Sequence, residues 1–433
     1  MNAAFSTNLV SPSQSPFSLR EKSPRLRSRR LHVVIVGEEL SYPPTSGNRI
    51  RSLNLMVRLA RRHRLTFICH RNADPEEAHR ATAFFAEHDI ETILVDRVLP
   101  PTSGPAFYGR LALNLLSKHP YSVASHDSRP LRQAIQDYAV SHTVDLWCCE
   151  WTPYAAALRD LRDVRRIVMA QNVESMIWQR YAETESNPIK RWYIRRQQRK
   201  FQRFEHWAAS STDQIVAVSE DDARTFQESF GARHVSVVDN GVDTRYFLPD
   251  SRLREPGNIL FLGSLDWRPN RDAVDLLLER IFPAVQNAEP GARLTLVGRH
   301  PSPELHRRVH GMPGVELHGD VPDVRPFLHR SGILAVPLRI GGGSRLKILE
   351  ALACRLPVVS TAIGAEGLCL ESGKHLTVVS EVDGMAGQLI HAIRNPYAMQ
   401  VMANAGRQRV LDRYDWDSLA DKLEETWYEC MER

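Results

Sequence analysis

Residues 338–361, LRIGGGSRLKILEALACRLPVVST, constrain the fold of this chain most, because they read as a loop and a helix between two buried strands. The apolar run at 333–338 predicts a buried strand, and the glycines at 341–343 would let the backbone approach a ligand closely. Ser344 is then expected to cap a helix that begins at Arg345. Free N–H groups and the positive end of the helix dipole favour a phosphate at this position.

Charged side chains extend this anion site. Arg345 and Lys347 lie in the first turn of the helix, where the dipole disfavours cations unless an anion is bound. Glu350 lies on the same helical face as Lys347, and a carboxylate beside a phosphate suits the hydroxyls of a sugar or a ribose. The segment therefore predicts a site for a phosphorylated ligand with hydroxyls. The alternative is a plain glycine turn with Glu350 as the solvated partner of Lys347.

The length of 433 residues is too great for one ordinary core and predicts two domains. A hydrophobic fraction of 42% and a charged fraction of 25% are typical of a soluble globular protein, and no apolar run reaches the length of a membrane span. The net charge of +5 is mild, so any preference for a charged partner depends on where the bases cluster. Six scattered cysteines without metal-ligand spacing indicate free thiols in a reducing compartment, the cytoplasm.

The pattern of strands and helices predicts an α/β fold with two Rossmann-like, doubly wound domains and a ligand cleft between them. Apolar runs of strand length alternate with helical periodicity up to about residue 219, and the alternation restarts at 258. The predicted organisation is a disordered basic tail at 1–30, a first domain at 31–243, a linker at 244–257, a second domain at 258–405 and a C-terminal helix at 406–433 that packs back toward the first domain.

Several segments in the same order resemble one enzyme family from about Leu31 to the end. YPPTSGNRIRS, NGVDTRYFLP, ILFLGSLDWRPNRDAV and GGGSRLKILEALACRLPVVSTAIGAEGL are similar to retaining, nucleotide-sugar-dependent glycosyltransferases of the GT-B fold, family 4 (group 1), in the subset associated with exopolysaccharide systems. The resemblance implies an acceptor site in the first domain and a nucleotide-sugar site, UDP being a typical nucleotide, in the second. It also implies transfer of a hexose to a glycan or lipid-linked acceptor with retention of configuration.

The resemblance assigns roles residue by residue. The residues expected to act in catalysis are Lys347, Arg268 and Glu174. The residues expected to bind the donor are Gly47, Gly263, Asn270, Gly341, Gly342, Gly343, Ser344, Arg345 and Glu350. The residues expected to bind the acceptor are Asn48, Arg49, Gln171 and Asn172.

Two positions depart from the pattern of the resembled family. Glu350 matches the second glutamate of the Glu, seven residues, Glu signature, but Gly342 stands at the position of the first. Gln171 stands where relatives often carry a histidine. These departures keep open a catalytically silent scaffold that binds nucleotides or glycans. A nucleotide-sugar 2-epimerase of the same architecture is the other alternative, although the acid-base machinery that it needs is not recognisable.

The segment KRWYIRRQQRKFQR at 190–203 carries seven bases, no acid and three interleaved aromatic residues. It predicts either a basic amphipathic helix on an anionic membrane or a solvated helix whose aromatic residues pack inward. Nucleic acid is not expected as a partner, because no recognised binding module accompanies the bases. The chain is therefore expected to be cytoplasmic, with peripheral attachment to the membrane as an option.

No required metal or other cofactor is expected. Asp415 and Asp417 form an Asp-x-Asp pair that could serve as metal ligands, but their position before Ser418 favours capping of the C-terminal helix. The histidines at 300, 306, 310 and 318 show no shared ligand spacing.

Overall fold

The computed structural model describes residues 29–97, 103–250, 254–340 and 346–433. The first domain contains a parallel sheet of seven strands in the order β3-β2-β1-β4-β5-β6-β7. Its strands are β1 His32–Glu39, β2 Arg64–His70, β3 Ile90–Val95, β4 Leu146–Cys149, β5 Arg166–Ala170, β6 Gln214–Ala217 and β7 Val235–Val237. Its helices are α1 Gly47–Ala60, α2 Pro75–Glu87, α3 Gly104–Asn114, α4 Tyr121–His126, α5 Arg129–Ser141, α6 Glu174–Thr184, α7 Pro188–Ser211 and α8 Glu220–Glu228, with a 3₁₀ helix at Thr152–Leu158.

The second domain contains a parallel sheet of six strands in the order β10-β9-β8-β11-β12-β13. Its strands are β8 Glu255–Leu262, β9 Arg293–Gly298, β10 Val315–Gly319, β11 Ser331–Val336, β12 Val358–Thr361 and β13 Thr377–Val379. Its helices are α9 Arg268–Leu276, α10 Phe282–Ala288, α11 Pro303–Val309, α12 Arg325–Arg330, α13 Leu346–Ala353, α14 Ala362–Ala365, α15 Met385–Arg394 and α16 Pro396–Arg413; a π turn at Leu277–Ile281 joins α9 to α10, and a 3₁₀ turn at Val382–Gly384 precedes α15.

These parallel sheets follow from the apolar runs in the sequence. Central strands such as β1 and β11 are covered by helices on both faces, so nearly all of their residues are buried. The predicted fold class, with two doubly wound parallel-sheet domains, is confirmed. Strands β7 and β13 were not predicted, because they are three-residue edge strands and too short to give a periodic signal.

The C-terminal helix α17, Trp416–Met431, packs on the first domain. Trp416 and Trp427 lie in the core that surrounds β1 and α1. Polar contacts follow the same face: Arg58 Nε forms an ion pair with Asp417 Oδ1 at 2.6 Å, and His63 Nε2 lies within hydrogen-bond distance of Glu424 Oε1, at 2.7 Å. The helix begins later than the predicted 406, because the preceding helix α16 belongs to the second domain and continues through that boundary to Arg413.

Segments that follow the carboxyl ends of strands in the two sheets touch each other. Gly47, after β1, lies beside Leu346, since a Cβ on the glycine would be 3.6 Å from Leu346 Cδ1. Arg180 on α6 reaches Glu366 after β12, with Nη1 and Nη2 at 2.7 and 2.6 Å from its two carboxylate oxygens. The cleft expected between the domains is therefore bounded by loops at the carboxyl ends of both sheets.

The predicted tail at 1–30 lies almost wholly outside the described residues. Its last part, at Arg29, is held by the first domain, since Nη2 is 2.6 Å from Asp145 Oδ1. Five of the six cysteines are buried as free thiols and Cys369 is half-buried. Within the described ranges, no helix is both long enough and apolar enough to cross a membrane.

Candidate functional site

The second domain places one cation at the carboxyl end of β8. Lys347, in the first turn of α13, donates through Nζ to Asn270 Oδ1 at 3.0 Å, and its ammonium lies 4.8 Å from the centroid of the Phe261 ring. Asn270 is held in turn, because its Nδ2 donates to the carbonyl of Ser264 at 2.8 Å. The amide thus orients Lys347 without neutralising it, and the ammonium can still stabilise a bound anion.

Glycine is required at the position next to this cation. A Cβ on Gly263 would lie 2.7 Å from Asn270 Nδ2 and 2.8 Å from Lys347 Nζ. Gly298, at the end of the neighbouring β9, is equally constrained, since a Cβ there would be 1.8 Å from the Gly263 carbonyl oxygen. The two glycines keep the strand ends close together, and the sequence analysis singled out only Gly263.

Glu350 follows Lys347 by one turn on α13 and is half-buried. Burial raises the pKa of this carboxyl to about 7, and the positive charge of Lys347 opposes the shift. The group therefore titrates near neutral pH. Its ionised form has two oxygens that can accept hydrogen bonds from hydroxyls, and the role with a ribose stays a prediction.

The predicted glycine-rich anion loop lies outside the described residues. It consists of Gly341, Gly342, Gly343, Ser344 and Arg345. Their roles stay predictions, and the described helix begins immediately after them at Leu346.

Arg268, at the start of α9, faces the first domain. Its Nη2 lies 3.5 Å from Glu185 Oε2, and its guanidinium carbon lies 4.9 Å from the centroid of the Tyr181 ring. Both partners belong to α6 and its C-terminal cap. The predicted role at the diphosphate stays a prediction, and the structure adds an interdomain contact for the same side chain.

The loop after β1 carries three of the predicted residues. Gly47 and Asn48 begin α1 and are exposed. Arg49 is held by two carboxylates, with Nη2 2.5 Å from Glu39 Oε1 and 2.9 Å from Glu77 Oε1. Arg49 thus links the start of α1 to the end of β1 and to α2. Its contact with an acceptor stays a prediction.

The cleft side of the first domain, which we call its floor, contains a half-buried carboxylate, Glu150, that was not predicted from the sequence. Glu150 follows β4 and accepts hydrogen bonds from the hydroxyl of Ser52 and from Gln171, whose Nε2 also lies 3.2 Å from the Glu150 carbonyl oxygen. Burial raises the pKa of Glu150, and the bond from Ser52 and the charge of Arg51 oppose the shift. Gln171 is 4% exposed, so it orients this carboxylate more than it reaches the cleft.

Glu174 lies at the N-terminus of α6 and is 8% exposed. Trp151 Nε1 donates to Glu174 Oε1 at 2.8 Å. Burial raises the pKa of this carboxyl, and hydrogen bonds from Trp151 and Asn172 oppose the shift. The predicted residues Glu174 and Asn172 are therefore neighbours in one polar cluster.

Glu205, on α7, caps the same helix from outside. Its Oε1 accepts from the backbone N–H of Glu174 at 2.6 Å, and its two oxygens lie 3.4 and 3.3 Å from the N–H of Ser175. Burial raises the pKa of Glu205 to about 8. This capping role had no sequence signal, because 31 residues separate Glu205 from Glu174.

A second missed group lies at the carboxyl ends of β1 and β3. Glu38 Oε1 is 2.9 Å from His126 Nε2 and 3.4 Å from Arg97 Nη2. His126 Nδ1 is 2.6 Å from the carbonyl oxygen of Ser122, and its ring packs edge-on against Trp151 at 5.3 Å between centroids. The Glu38-Glu39 pair directly after an apolar strand was the signal that could have revealed this group.

The Asp-x-Asp pair serves the C-terminal helix. Asp415 caps α17 by accepting from the N–H of Asp417 at 2.9 Å. In the parts of the chain that the structure describes, no three His, Cys, Asp or Glu side chains form a group that could hold a metal ion. The expectation that no metal is required stays a prediction.

Two parallel-sheet domains that face each other through their strand ends define a protein of the GT-B class, and solved GT-B structures match this chain closely in fold. Sucrose-phosphate synthase from Thermosynechococcus elongatus superposes with a TM-score of 0.67 over 92% of this chain and 99% of that one, at 16% identity. Anabaena HepE, solved with UDP-glucose, superposes with a TM-score of 0.64 over 92% of this chain and 99% of that one, at 14% identity.

Two family models match the chain, and the boundary between them, at residues 246–256, coincides with the boundary between the two domains. Residues 47–246 match Glycosyltransferase Family 4, and residues 256–395 match Glycosyl transferases group 1. The chain therefore belongs to the family 4, group 1 glycosyltransferases.

Curated relatives match over part of their length. A glycogen synthase of Mycobacterium tuberculosis is 27% identical over 55% of this chain and 59% of its own. A GDP-mannose-dependent phosphatidylinositol monomannoside mannosyltransferase of the same species is 29% identical over 49% of this chain and 60% of its own. The chain thus spans about 60% of the length of these relatives.

Proposed function

We propose that this chain is a retaining glycosyltransferase that moves a hexose from a nucleoside-diphosphate donor to a glycan or lipid-linked acceptor in the cytoplasm. The observation that carries the proposal is Lys347, held by Asn270 at the end of β8 beside a position where only glycine fits. Gly47 approaches the same helix from the first domain. A phosphorylated donor between these elements would meet an oriented cation on one side and the first-domain floor on the other.

The proposed chemistry follows from where charge develops. The bond between the anomeric carbon and the diphosphate oxygen breaks, the acceptor oxygen bonds to that carbon, and the acceptor proton passes to the departing diphosphate. Lys347, Arg345 and Arg268 would stabilise the negative charge on the leaving group, together with backbone N–H groups of the 341–344 loop. Glu350 would hold the ribose hydroxyls, and the two domains would supply proximity.

The acceptor is assigned to the floor of the first domain. Glu174, Gln171 and Asn172 lie there with Glu150, and Asn48 is exposed on the loop above. Sugar hydroxyls both donate and accept hydrogen bonds, so buried carboxyls and amides suit them. Glu174, which is held by Trp151, is the proposed catalytic carboxyl of this floor.

A thermal-shift screen tests the donor site. The protein is scanned against UDP, GDP, ADP and CDP and their sugar conjugates, with UDP-sugars first, because a ligand that binds the native state raises the melting temperature. Glu350→Ala is expected to abolish the shift, whereas Glu304→Ala, an exposed glutamate on α11, is expected to keep it. Absence of any shift, or the same loss in both variants, contradicts the donor site.

A catalytically silent scaffold is the second candidate. Gln171 favours it, because an amide that donates to Glu150 cannot serve as an acid or a base. Donor binding without transfer or donor hydrolysis above background would select the scaffold. Product formation, with the anomeric configuration read by NMR, would select the transferase and test retention.

A further inference from the structure

Helix α3 is attached through its C-terminal end to helix α7 on the first domain. Three side chains of α7 hold the end of α3, with Gln197 Nε2 3.0 Å from Asn114 Oδ1, Arg196 Nη2 3.2 Å from the carbonyl oxygen of Leu115, and Lys200 bonded to the carbonyl of Asn114. Gln197 and Lys200 are buried in this contact. The C-terminal end of α3 is therefore fixed against α7, and we call the outer surfaces of these two helices the α3–α7 face.

Large apolar side chains are concentrated on the α3–α7 face. Tyr108, Leu113 and Leu116 of α3 and the turn after it are 67%, 70% and 88% exposed. Ile189 and Trp192 of α7 are 76% and 57% exposed. Five of the twelve most exposed large hydrophobic residues of the described chain thus lie on two adjoining helices, and such a concentration marks an interaction surface.

The two helices of this face carry bases, most of them on α7, and no surface acid. No Asp or Glu occurs from Arg97 to His126 or from Pro188 to Phe204. The acid that follows, Glu205, is buried under α6 and does not reach the surface. The charge on the face is therefore not balanced by acids of its own helices.

The bases and the tryptophan share the outward side of α7. Trp192, Arg195, Arg196, Arg199 and Arg203 recur at helical spacing. Trp192, Arg195, Arg199 and Arg203 are exposed, whereas Ile194 and Phe201 point inward to the core. The sequence left two alternatives for this segment, a solvated helix and a helix that faces a membrane. Inward packing of Ile194 and Phe201 is compatible with both. The exposed apolar residues of α3 favour the helix that faces a membrane.

We propose that the α3–α7 face docks on an anionic lipid surface. Lipid headgroups complement the bases, and the acyl boundary accepts Leu113, Leu116, Ile189 and Trp192. A nucleic acid or a polyanionic glycan would match the charge but leave the leucines without a partner. The inference does not depend on transferase activity, and it places the first domain against the surface where a lipid-linked acceptor would lie.

Flotation of the full-length protein with vesicles tests the docking. Vesicles of phosphatidylcholine alone are compared with vesicles that contain phosphatidylglycerol, at low and high salt. The basic variant replaces Arg195, Arg199 and Arg203 by Gln, and the apolar variant is Leu113→Ser with Leu116→Ser. We expect wild type to float only with phosphatidylglycerol and the basic variant to partition roughly 100-fold more weakly.

A matched control keeps the net charge of the basic variant. It replaces three exposed arginines elsewhere, Arg61, Arg80 and Arg307, by Gln, and it is expected to bind like wild type. The apolar variant is expected to lose the part of binding that survives high salt, because that part comes from apolar contact. Circular dichroism and melting temperature verify that each variant folds.

Three outcomes overturn the proposal. One is failure of the folded wild type to float with phosphatidylglycerol vesicles. Another is equal loss in the basic variant and its matched control, which indicates net charge alone. The last is an apolar variant that binds like wild type at every salt concentration, which indicates a polyanion site rather than a lipid-docking face. Thermal shifts with nucleotides are independent of all three, so a failed donor site remains distinguishable.

Discussion

The two domains hold their polar groups at the cleft in different ways. In the first domain, two carboxyls accept hydrogen bonds from neutral donors, Glu150 from Ser52 and Glu174 from Trp151. In the second domain, the cation of Lys347 is held by the neutral Asn270 amide. Each of these ionisable groups is thus contacted by an uncharged side chain, but the groups differ in sign: carboxyls in the first domain and an ammonium in the second.

Loss of the cation in the second domain is expected to have the largest effect. Lys347→Ala should lower turnover of the donor by about 10²- to 10³-fold, because one oriented group at developing negative charge contributes about 2.7–4 kcal/mol. Steady-state kinetics measure the loss, and unfolding curves should change little. Lys374→Ala, which removes an exposed lysine paired with Glu371, is the matched control. Near-normal turnover of Lys347→Ala would remove it from the mechanism.

Loss of a buried carboxyl in the first domain should instead reduce stability. Glu205→Ala leaves the N–H groups of Glu174 and Ser175 without their acceptor, and we expect a loss of about 1–3 kcal/mol in the free energy of unfolding. Denaturant titration measures this loss. Glu228→Ala, at an exposed position on α8, should change the free energy by less than about 0.5 kcal/mol. Equal effects in the two variants would contradict the capping role.

Because the pKa of Glu205 is raised, the contribution of this side chain to the free energy of unfolding should depend on pH. The folded-state pKa of about 8 exceeds that of an unfolded glutamate, so the native state binds the extra proton between about pH 4.3 and 8. The contribution to stability is complete below this window and is lost as the pH rises through it. Glu205→Gln, which cannot ionise, should flatten this part of the stability profile.

Donor affinity is expected to depend on pH through Glu350. The pKa of about 7 means that the carboxylate is mostly protonated at pH 6 and mostly ionised at pH 8. Calorimetry with a nucleotide sugar, whose diphosphate does not titrate in this range, should show binding that tightens by up to about tenfold. Glu350→Gln should bind weakly and equally at both pH values. A wild-type affinity that is constant with pH would contradict this role of the carboxylate.

The smallest effect is expected where the two domains touch. Arg180 and Glu366 form a two-pronged pair that is 15% and 30% exposed, and a double-mutant cycle to Ala should give a coupling of about 0.5–1 kcal/mol. The surface pair Arg224–Asp221, at 61% and 64% exposure, is the control and should give less than about 0.5 kcal/mol. A coupling no larger than this control would mean that the pair does not hold the domains together.

The fold could be predicted further than the site. Continuous apolar runs located the central strands, because a strand covered on both faces has to be apolar throughout. The second-domain residues were also recognisable, since Lys347 and Glu350 share one helix, and Asn270 follows a neighbouring strand.

The first-domain floor could not be predicted in the same way. Glu150, Glu205 and His126 lie in separate segments, and each finds its partners only when the sheet and its helices are assembled. The sequence does not show whether a glutamate is buried or solvated. Its role depends on burial by distant segments, which no local pattern reveals. The exposed leucines of α3 were missed for the opposite reason, because an apolar helix reads as a core helix until its neighbours are known.

The return of α17 to the first domain affects how the protein is made. The first-domain sheet ends at Val237, but Trp416 and Trp427 complete its core from the far end of the chain. A ribosome adding 5–20 residues per second needs roughly 10–40 s to synthesise the intervening chain. During that interval the apolar face around α1 is exposed to solvent, while the second domain is synthesised and folds. The first domain should therefore need chaperones more than the second.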